Sequence, residues 1–236
     1  VCFTIAVPDR KRCSLLLYKR GDQEVAASIP MGSSARYGDL RSLIIEGFPI
    51  EEYEYNYLID GQVVTDPYAL AICGREIWGK APKGEESLHG RAVFEDYDWN
   101  GDVPLQLSWS DIVVYSTHVR GFTKHPSSGV KAKGTFQGIA ERIPYLKELG
   151  INQLELMPVY EFAEVEPWDE KRPPLRRPGN GRRELLNYWG YTDAYYFAPK
   201  ASYAATDDPV REFKDLVREL HRNGIEHVLE FYFPKG

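Results

Sequence analysis

The hydrophobic period of this chain changes once, near residue 105, and that change limits the possible folds more than any other feature. Before it, apolar residues alternate with others over short stretches. Phe3, Ile5 and Val7 take every second position, and Tyr53, Tyr55 and Tyr57 do the same ahead of an Asp60-Gly61 turn. A period of two gathers such residues on one face of a strand. A short apolar run at 15–18 and frequent Gly, Pro and Asp breaks add further short strands, so residues 1–105 are expected to form a small β-sandwich.

After residue 105, residues 111–115, 151–159 and 225–233 are near-continuous apolar runs. Runs of this kind suit parallel strands covered on both faces. A helix is well signalled between the second and third: Asp208 as N-cap, Pro209 at the first helical position, apolar spacing through Val210, Phe213, Leu216, Val217 and Leu220, and Gly224 to stop it. Between the first and second runs, Phe136, Ile139, Ile143, Leu146 and Leu149 keep the same spacing up to Gly150, with Pro144 implying a late start or a kink. The order is βαβαβ, which permits either an open doubly wound sheet or a closed barrel. Some fifty residues, 160–207, follow the second run at the end where a barrel builds its active site. Long aromatic, Gly- and Pro-containing insertions at such places tend to carry function.

Composition narrows the partners. A net charge of −6 argues against nucleic acid or an anionic membrane, and the basic run at 171–183 reads as a solvated loop. No apolar run approaches the roughly 18 residues of a membrane-spanning helix, and no secretory leader pattern opens the chain, so a cytoplasmic location is expected. The chain starts at Val1, which leaves room for a trimmed upstream segment and for secretion. Cys2, Cys13 and Cys73 have neither CxxC spacing nor a nearby His, so no metal or cofactor is expected. With 16 Tyr, 5 Trp and 10 Phe, the chain is rich in the flat rings on which sugar C–H faces stack, although such rings fill cores equally well.

Tyr115-Ser116-Thr117-His118-Val119-Arg120-Gly121-Phe122-Thr123 resembles the first-strand motif of pullulanases, isoamylases and bacterial glycogen debranching enzymes, members of the α-amylase superfamily. Three further stretches resemble that family in the same order. They are Lys133-Gly134-Thr135-Phe136 with Tyr145-Leu146-Lys147-Glu148-Leu149-Gly150-Ile151, then Leu154-Glu155-Leu156-Met157-Pro158-Val159 with Glu161-Phe162, then Asn187-Tyr188-Trp189-Gly190-Tyr191 with Tyr196-Phe197-Ala198-Pro199. Upstream, Tyr55-Asn56-Tyr57-Leu58-Ile59-Asp60-Gly61 and Asp66-Pro67-Tyr68-Ala69 are similar to the family 48 carbohydrate-binding module that precedes the barrel in these enzymes.

The resemblance implies a sandwich module over 1–105 and the first three βα units of a (β/α)8 TIM barrel over 106–236. It also implies retaining hydrolysis of α-1,6 links in glycogen or starch, with α-glucan as partner. Retention needs two carboxyl groups about 5–5.5 Å apart. In the family these are an Asp on the fourth barrel strand and a Glu on the fifth, with a helper Asp after the seventh. A full barrel takes about 250 residues, against roughly 130 after residue 105, so these residues are expected to lack the catalytic carboxylates and to be inactive alone. Open sheet edges would then favour self-association or recruitment of the missing half.

Residue by residue, Tyr191 matches the family tyrosine that stacks on the glucose at the cleavage point, the alternative being a loop tyrosine packed on Phe197. Tyr188 and Trp189 could contact substrate or fill a core. His118 and Arg120 are expected to be a buried supporting pair at the barrel rim. Ser116 stands where the motif carries Glu. The third strand usually closes on Asp-Val-Val-x-Asn-His, and here it reads Glu230-Phe231-Tyr232-Phe233-Pro234-Lys235, with Glu230 as the structural acid and Lys235 at the sugar-contacting His. Those departures keep open a glucan-binding member without hydrolysis, with a branching enzyme as the other alternative. Trp78, Trp99 and Trp109, assigned to the sandwich, are expected to be structural. Glu164 with Glu166, and Asp207 with Asp208, lack ligand spacing.

Overall fold

A computed structural model describes residues 1–8, 11–32, 36–82, 84, 87–94, 96–165 and 186–233. Pro234, Lys235, Glu166 and the basic run at 171–183 lie outside the described residues. Two compact units emerge, one of Val1–Gly74, Pro82–Phe94 and Tyr195–Ala198, the other of Arg75–Ala81, Glu95–Ala194 and Pro199–Gly236.

Besides Tyr195–Ala198, which belong to a later strand, the described residues of the first unit form β1 (Cys2–Ala6), β2 (Cys13–Lys19), β3 (Val25–Pro30), β4 (Arg36–Tyr37), β5 (Leu40–Ile44), β6 (Tyr53–Ile59), β7 (Gln62–Val64), β8 (Ala71–Cys73) and β9 (His89–Arg91). They form two sheets, one of order β1-β5-β4 and one of order β3-β2-β6-β9-β8 with β7 paired to β6, and every pairing is antiparallel. The alternation in β1 is realised as read: Phe3 and Ile5 are buried while their neighbours are exposed. Those two join Leu15, Leu17, Tyr55 and Tyr57 of the larger sheet in one core, each large apolar side chain contributing about 1.5–3 kcal/mol by leaving water. β6 is buried on its other face too. There the Glu54 carboxylate accepts from Gly21 N–H at 3.1 Å and lies 2.8 Å from His89 Nδ1, and Asn56 donates to the Leu88 carbonyl at 2.8 Å. Asp60, at φ 47°, and Gly61 make the tight turn from β6 into β7.

In the second unit, β10 (Val114–Thr117), β11 (Gln153–Leu156) and β14 (Glu226–Leu229) form a parallel sheet in that order. Strands β12 (Tyr160–Phe162) and β13 (Ala194–Pro199) lie between β11 and β14 in the chain. Helices α1 (Val119–Lys124), α2 (Phe136–Ala140), α3 (Ile143–Glu148) and α4 (Pro209–Arg222) connect the strands. Asp208 caps α4 by accepting from Arg211 N–H at 3.0 Å, and Leu216, Val217 and Leu220 are buried. Pro144 divides the expected helix at 136–149, since it cannot donate to an earlier turn and α3 starts anew with it in its first turn.

All three parallel strands are shorter than their apolar runs. Asn152 intercepts the start of the first: its side chain accepts from Val113 N–H at 2.7 Å and donates to the Asp111 carbonyl at 2.8 Å, taking groups a strand partner would use. The Pro158 nitrogen has no hydrogen to extend β11. Trp78, Trp99 and Trp109 belong to this unit rather than to the first. No helix among the described residues is long and apolar enough to cross a membrane.

Candidate functional site

Register brings the three parallel strands to one end together. Thr117 pairs with Leu156, and Leu156 with Leu229. The next residues keep that level, because Met157 N–H donates to the Thr117 carbonyl at 3.0 Å and Glu230 N–H to the Leu156 carbonyl at 2.9 Å. His118, Met157 and Glu230 therefore leave the sheet side by side at its C-terminal end.

His118 is buried and caps α1. Its Nδ1 accepts from Gly121 N–H at 3.0 Å, and its Nε2 lies 2.8 Å from the Tyr188 carbonyl and 3.0 Å from the Tyr203 hydroxyl. An accepting Nδ1 and a carbonyl facing Nε2 define the neutral ring with its proton on Nε2. Burial holds the ring below the usual histidine range, the Tyr188 carbonyl opposing and Arg120 adding to the effect. Tyr188 stacks on this imidazole at 4.1 Å and 11°. A side chain at residue 121 would meet the Tyr188 hydroxyl at 2.5 Å, so Gly121 makes room for the stack. Arg120 lies 4.9 Å over the Trp78 ring, and Trp78 stacks on Tyr203 at 5.6 Å. His118 and Arg120 do not form the expected buried pair: His118 holds the loop at Tyr188, while Arg120, only half-buried, lies over Trp78.

From that anchor the loop turns outward. Gly190 has φ +80°, and a Cβ there would come within 2.6 Å of Phe162 and 3.0 Å of Pro158. Only glycine allows the backbone to press so closely on both. The Gly190 carbonyl accepts from the Tyr160 hydroxyl at 3.1 Å, and its N–H donates to Asn187 at 3.1 Å. The next residue, Tyr191, is 41% exposed and donates to Glu230 Oε1 at 2.8 Å. Burial first, then the Glu230 hydrogen bond, push its phenol up to about 12, so it stays a neutral donor at physiological pH. Its ring meets Tyr232 edge-on at 6.0 Å. Trp189 is 51% exposed, edge-on to both His118 and Tyr188. The strand ends thus carry a rim of part-exposed rings, Trp189, Tyr191, Tyr232 and Phe233, with Glu230 among them.

A buried ion cluster lies close behind the same loop and escaped the sequence reading. Lys200 is fully buried, and its ammonium reaches Glu161 Oε1 at 3.1 Å, Glu164 Oε2 at 3.2 Å and the Phe162 carbonyl at 2.8 Å, one acceptor for each hydrogen. Glu161 Oε2 also takes Ala201 N–H at 2.7 Å, and Asn187 N–H donates to the Glu164 carbonyl at 2.7 Å, which ties the loop to the cluster. Burial pushes the Glu161 carboxyl above the usual carboxylate range, with Lys200, the Ala201 amide and Arg75 pulling it back. Glu161 was legible only as part of a motif. Lys200 lies 39 residues from it, and nothing in local spacing pairs them.

A parallel βα sheet whose C-terminal strand ends carry the polar and aromatic rim is the plan of β/α enzymes. Residues 93–233 match the family described as the α-amylase catalytic domain. Over 99% of its length the chain is 33% identical to chloroplastic isoamylase 1 of Oryza sativa subsp. japonica, covering 31% of that protein. Over 60% of its length it is 42% identical to a glycogen debranching enzyme of Dickeya chrysanthemi, covering 20% of it. Among solved structures, the type I pullulanase of Bacillus subtilis str. 168 complexed with maltose superposes with a TM-score of 0.71 at 26% identity, over 97% of this chain and 31% of that one. The chain belongs to the α-amylase family. It spans about a third of the length of the isoamylase it matches along almost its entire length.

Proposed function

We propose that this chain is part of an α-glucan debranching hydrolase and carries one wall of its sugar site, made by the loop at 186–191 and the exit of β14. The observation that carries the reading is the Tyr191–Glu230 pair. A part-exposed ring is held upright at the sheet's C-terminal end by a 2.8 Å hydrogen bond and by a glycine that nothing larger could replace. A ring fixed in this way offers a stacking face to a glucose unit, and its neighbours Trp189 and Tyr232 extend that face. The Bacillus subtilis pullulanase, solved with maltose, supports the choice of ligand. The isoamylase and glycogen debranching enzyme relatives support debranching as the reaction of the whole protein, for which the motif resemblance implies α-1,6 links.

On the same reading, the two antiparallel sheets with a common core are the sandwich module and the three parallel strands open a TIM barrel. Among the described residues β10 and β14 are the outer strands of that parallel sheet, and Val114 and Val228 are exposed on them. Unpaired parallel edges of this kind favour self-association of the isolated residues.

Calorimetric titration of maltotetraose into the wild-type chain and Tyr191→Ala tests the reading. A loss of about tenfold in affinity is expected, equivalent to about 1.4 kcal/mol of ring contact. Equal affinities would remove Tyr191 from the sugar site. A second reading, a glucan-binding member without hydrolysis, is favoured by Ser116 and Lys235 standing where family motifs carry Glu and His. Release of linear chains from glycogen by the whole protein separates the two.

A further inference from the structure

At the end of the second unit's sheet opposite this rim, four side chains with metal-binding chemistry converge. Buried His221, in the last turn of α4, has Nδ1 2.8 Å from Asp102 Oδ2. Its Nε2 faces two groups at the start of β14, Glu226 Oε1 at 2.9 Å and His227 Nδ1 at 3.4 Å. One ligand atom from each of His221, Glu226 and His227 lies within 4.8 Å of the others. The second Glu226 oxygen is occupied by Leu105 N–H at 2.9 Å.

Three features of this geometry suit a cation better than hydrogen bonds alone. A single hydrogen on His221 Nε2 cannot serve both Glu226 and His227 at full strength, whereas one cation can hold all three. Ligands about 2.0–2.1 Å from a tetrahedral Zn²⁺ sit roughly 3.3–3.4 Å apart; the two histidine nitrogens already have that separation, and the 2.9 Å contact of Glu226 with His221 would open by a few tenths of an ångström on binding. Asp102 also binds the far nitrogen of His221, the arrangement in which a carboxylate fixes the ring tautomer and orientation of a metal-ligating histidine. Two imidazoles and a carboxylate favour a zinc-like cation over Ca²⁺ or Mg²⁺, which take oxygen donors. The carboxylates of Glu226 and Asp102 together balance a dication.

We propose that His221, Glu226 and His227 form a zinc-binding site, with Asp102 orienting His221 and water as the fourth ligand. The site ties the segment at 102–105 to α4 and β14, far along the strands from the proposed sugar wall. The spacing His-x4-Glu-His spans a helix end and a strand start, so it is no zinc motif that a sequence reading would find.

The test is calorimetric titration of Zn²⁺ into the chelator-stripped chain with excess Mg²⁺ present, on wild type, His227→Val and Asp102→Asn. Valine suits a strand and leaves the Asp102–His221–Glu226 contacts in place, so His227→Val is expected to keep its metal-free unfolding midpoint. One Zn²⁺ per wild-type chain is expected. His227→Val should weaken binding by more than about 100-fold and Asp102→Asn by about 10–100-fold, the range for lost outer partners. Co²⁺ should give the visible absorption of a four-coordinate site in wild type and not in His227→Val. The proposal fails if wild type takes up no stoichiometric Zn²⁺, or if His227→Val binds it as tightly.

Discussion

The first unit and the strand-end region of the second achieve order by different means. Between its two sheets the first packs Phe3, Ile5, Leu15, Leu17, Tyr55 and Tyr57, an apolar core drawn from alternating positions. Behind the rim, the second packs charge: Lys200 against Glu161 and Glu164, with His118 pinning Tyr188. An apolar core tolerates small adjustments and is non-directional. A buried ion cluster fixes direction, and it is strongly destabilised when one member is lost. The lesson is that the region proposed to hold a sugar ring is built for positioning, and the first unit for packing.

The largest effect should come from Lys200→Met, which leaves two buried carboxylates without their cation and costs about 3–5 kcal/mol. The described tryptophans, Trp78, Trp99, Trp109 and Trp189, fall in the second unit, so the unfolding midpoint followed by tryptophan fluorescence reads this loss directly. Adding Glu161→Gln and Glu164→Gln should recover part of it. No recovery would mean that Lys200 acts through packing, and the contrast between the units would weaken. Next in size, Leu15→Ala in the first unit should cost about 2–4 kcal/mol through the cavity it leaves. It should shift the far-UV circular dichroism transition with little change in the fluorescence transition. Coincident shifts in both signals would show that the units unfold as one.

A smaller effect follows from His118. Burial lowers its folded pKa, so the unfolded chain binds the proton more readily. Stability is therefore full above the ordinary histidine value near 6.5 and is lost as pH falls through that value toward the lowered folded one. Urea midpoints by tryptophan fluorescence should drop between pH 7.5 and 5.5 in wild type and drop less in His118→Asn. Asparagine can still accept from Gly121 at the helix start. An unchanged slope in the variant would take His118 out of the account.

The same contrast explains what could be read from the sequence. Phe3, Ile5 and Val7 declare their face by alternation, and Asp208-Pro209 declares a helix start, because these signals lie within a few residues of one another. Pro144 marked a break, though not that two separate helices would flank it. The strand ends were misjudged because apolar runs continue past the point where Asn152 and Pro158 end the pairing. Of the candidate site, Tyr191, Glu230 and His118 could be found through motif resemblance. The Lys200 cluster, the place of Trp78 among Tyr188, Tyr203 and Arg120, and the Asp102–His221 contact join residues many positions apart, and no local pattern encodes them.

Hydrogen exchange of backbone amides with and without maltohexaose tests the central claim most directly, since it reports both units at once. The account predicts slowed exchange at 187–192 and 230–233 and little change across the strands of the first unit. Slowing confined to the first unit, with 187–192 unaffected, would contradict it.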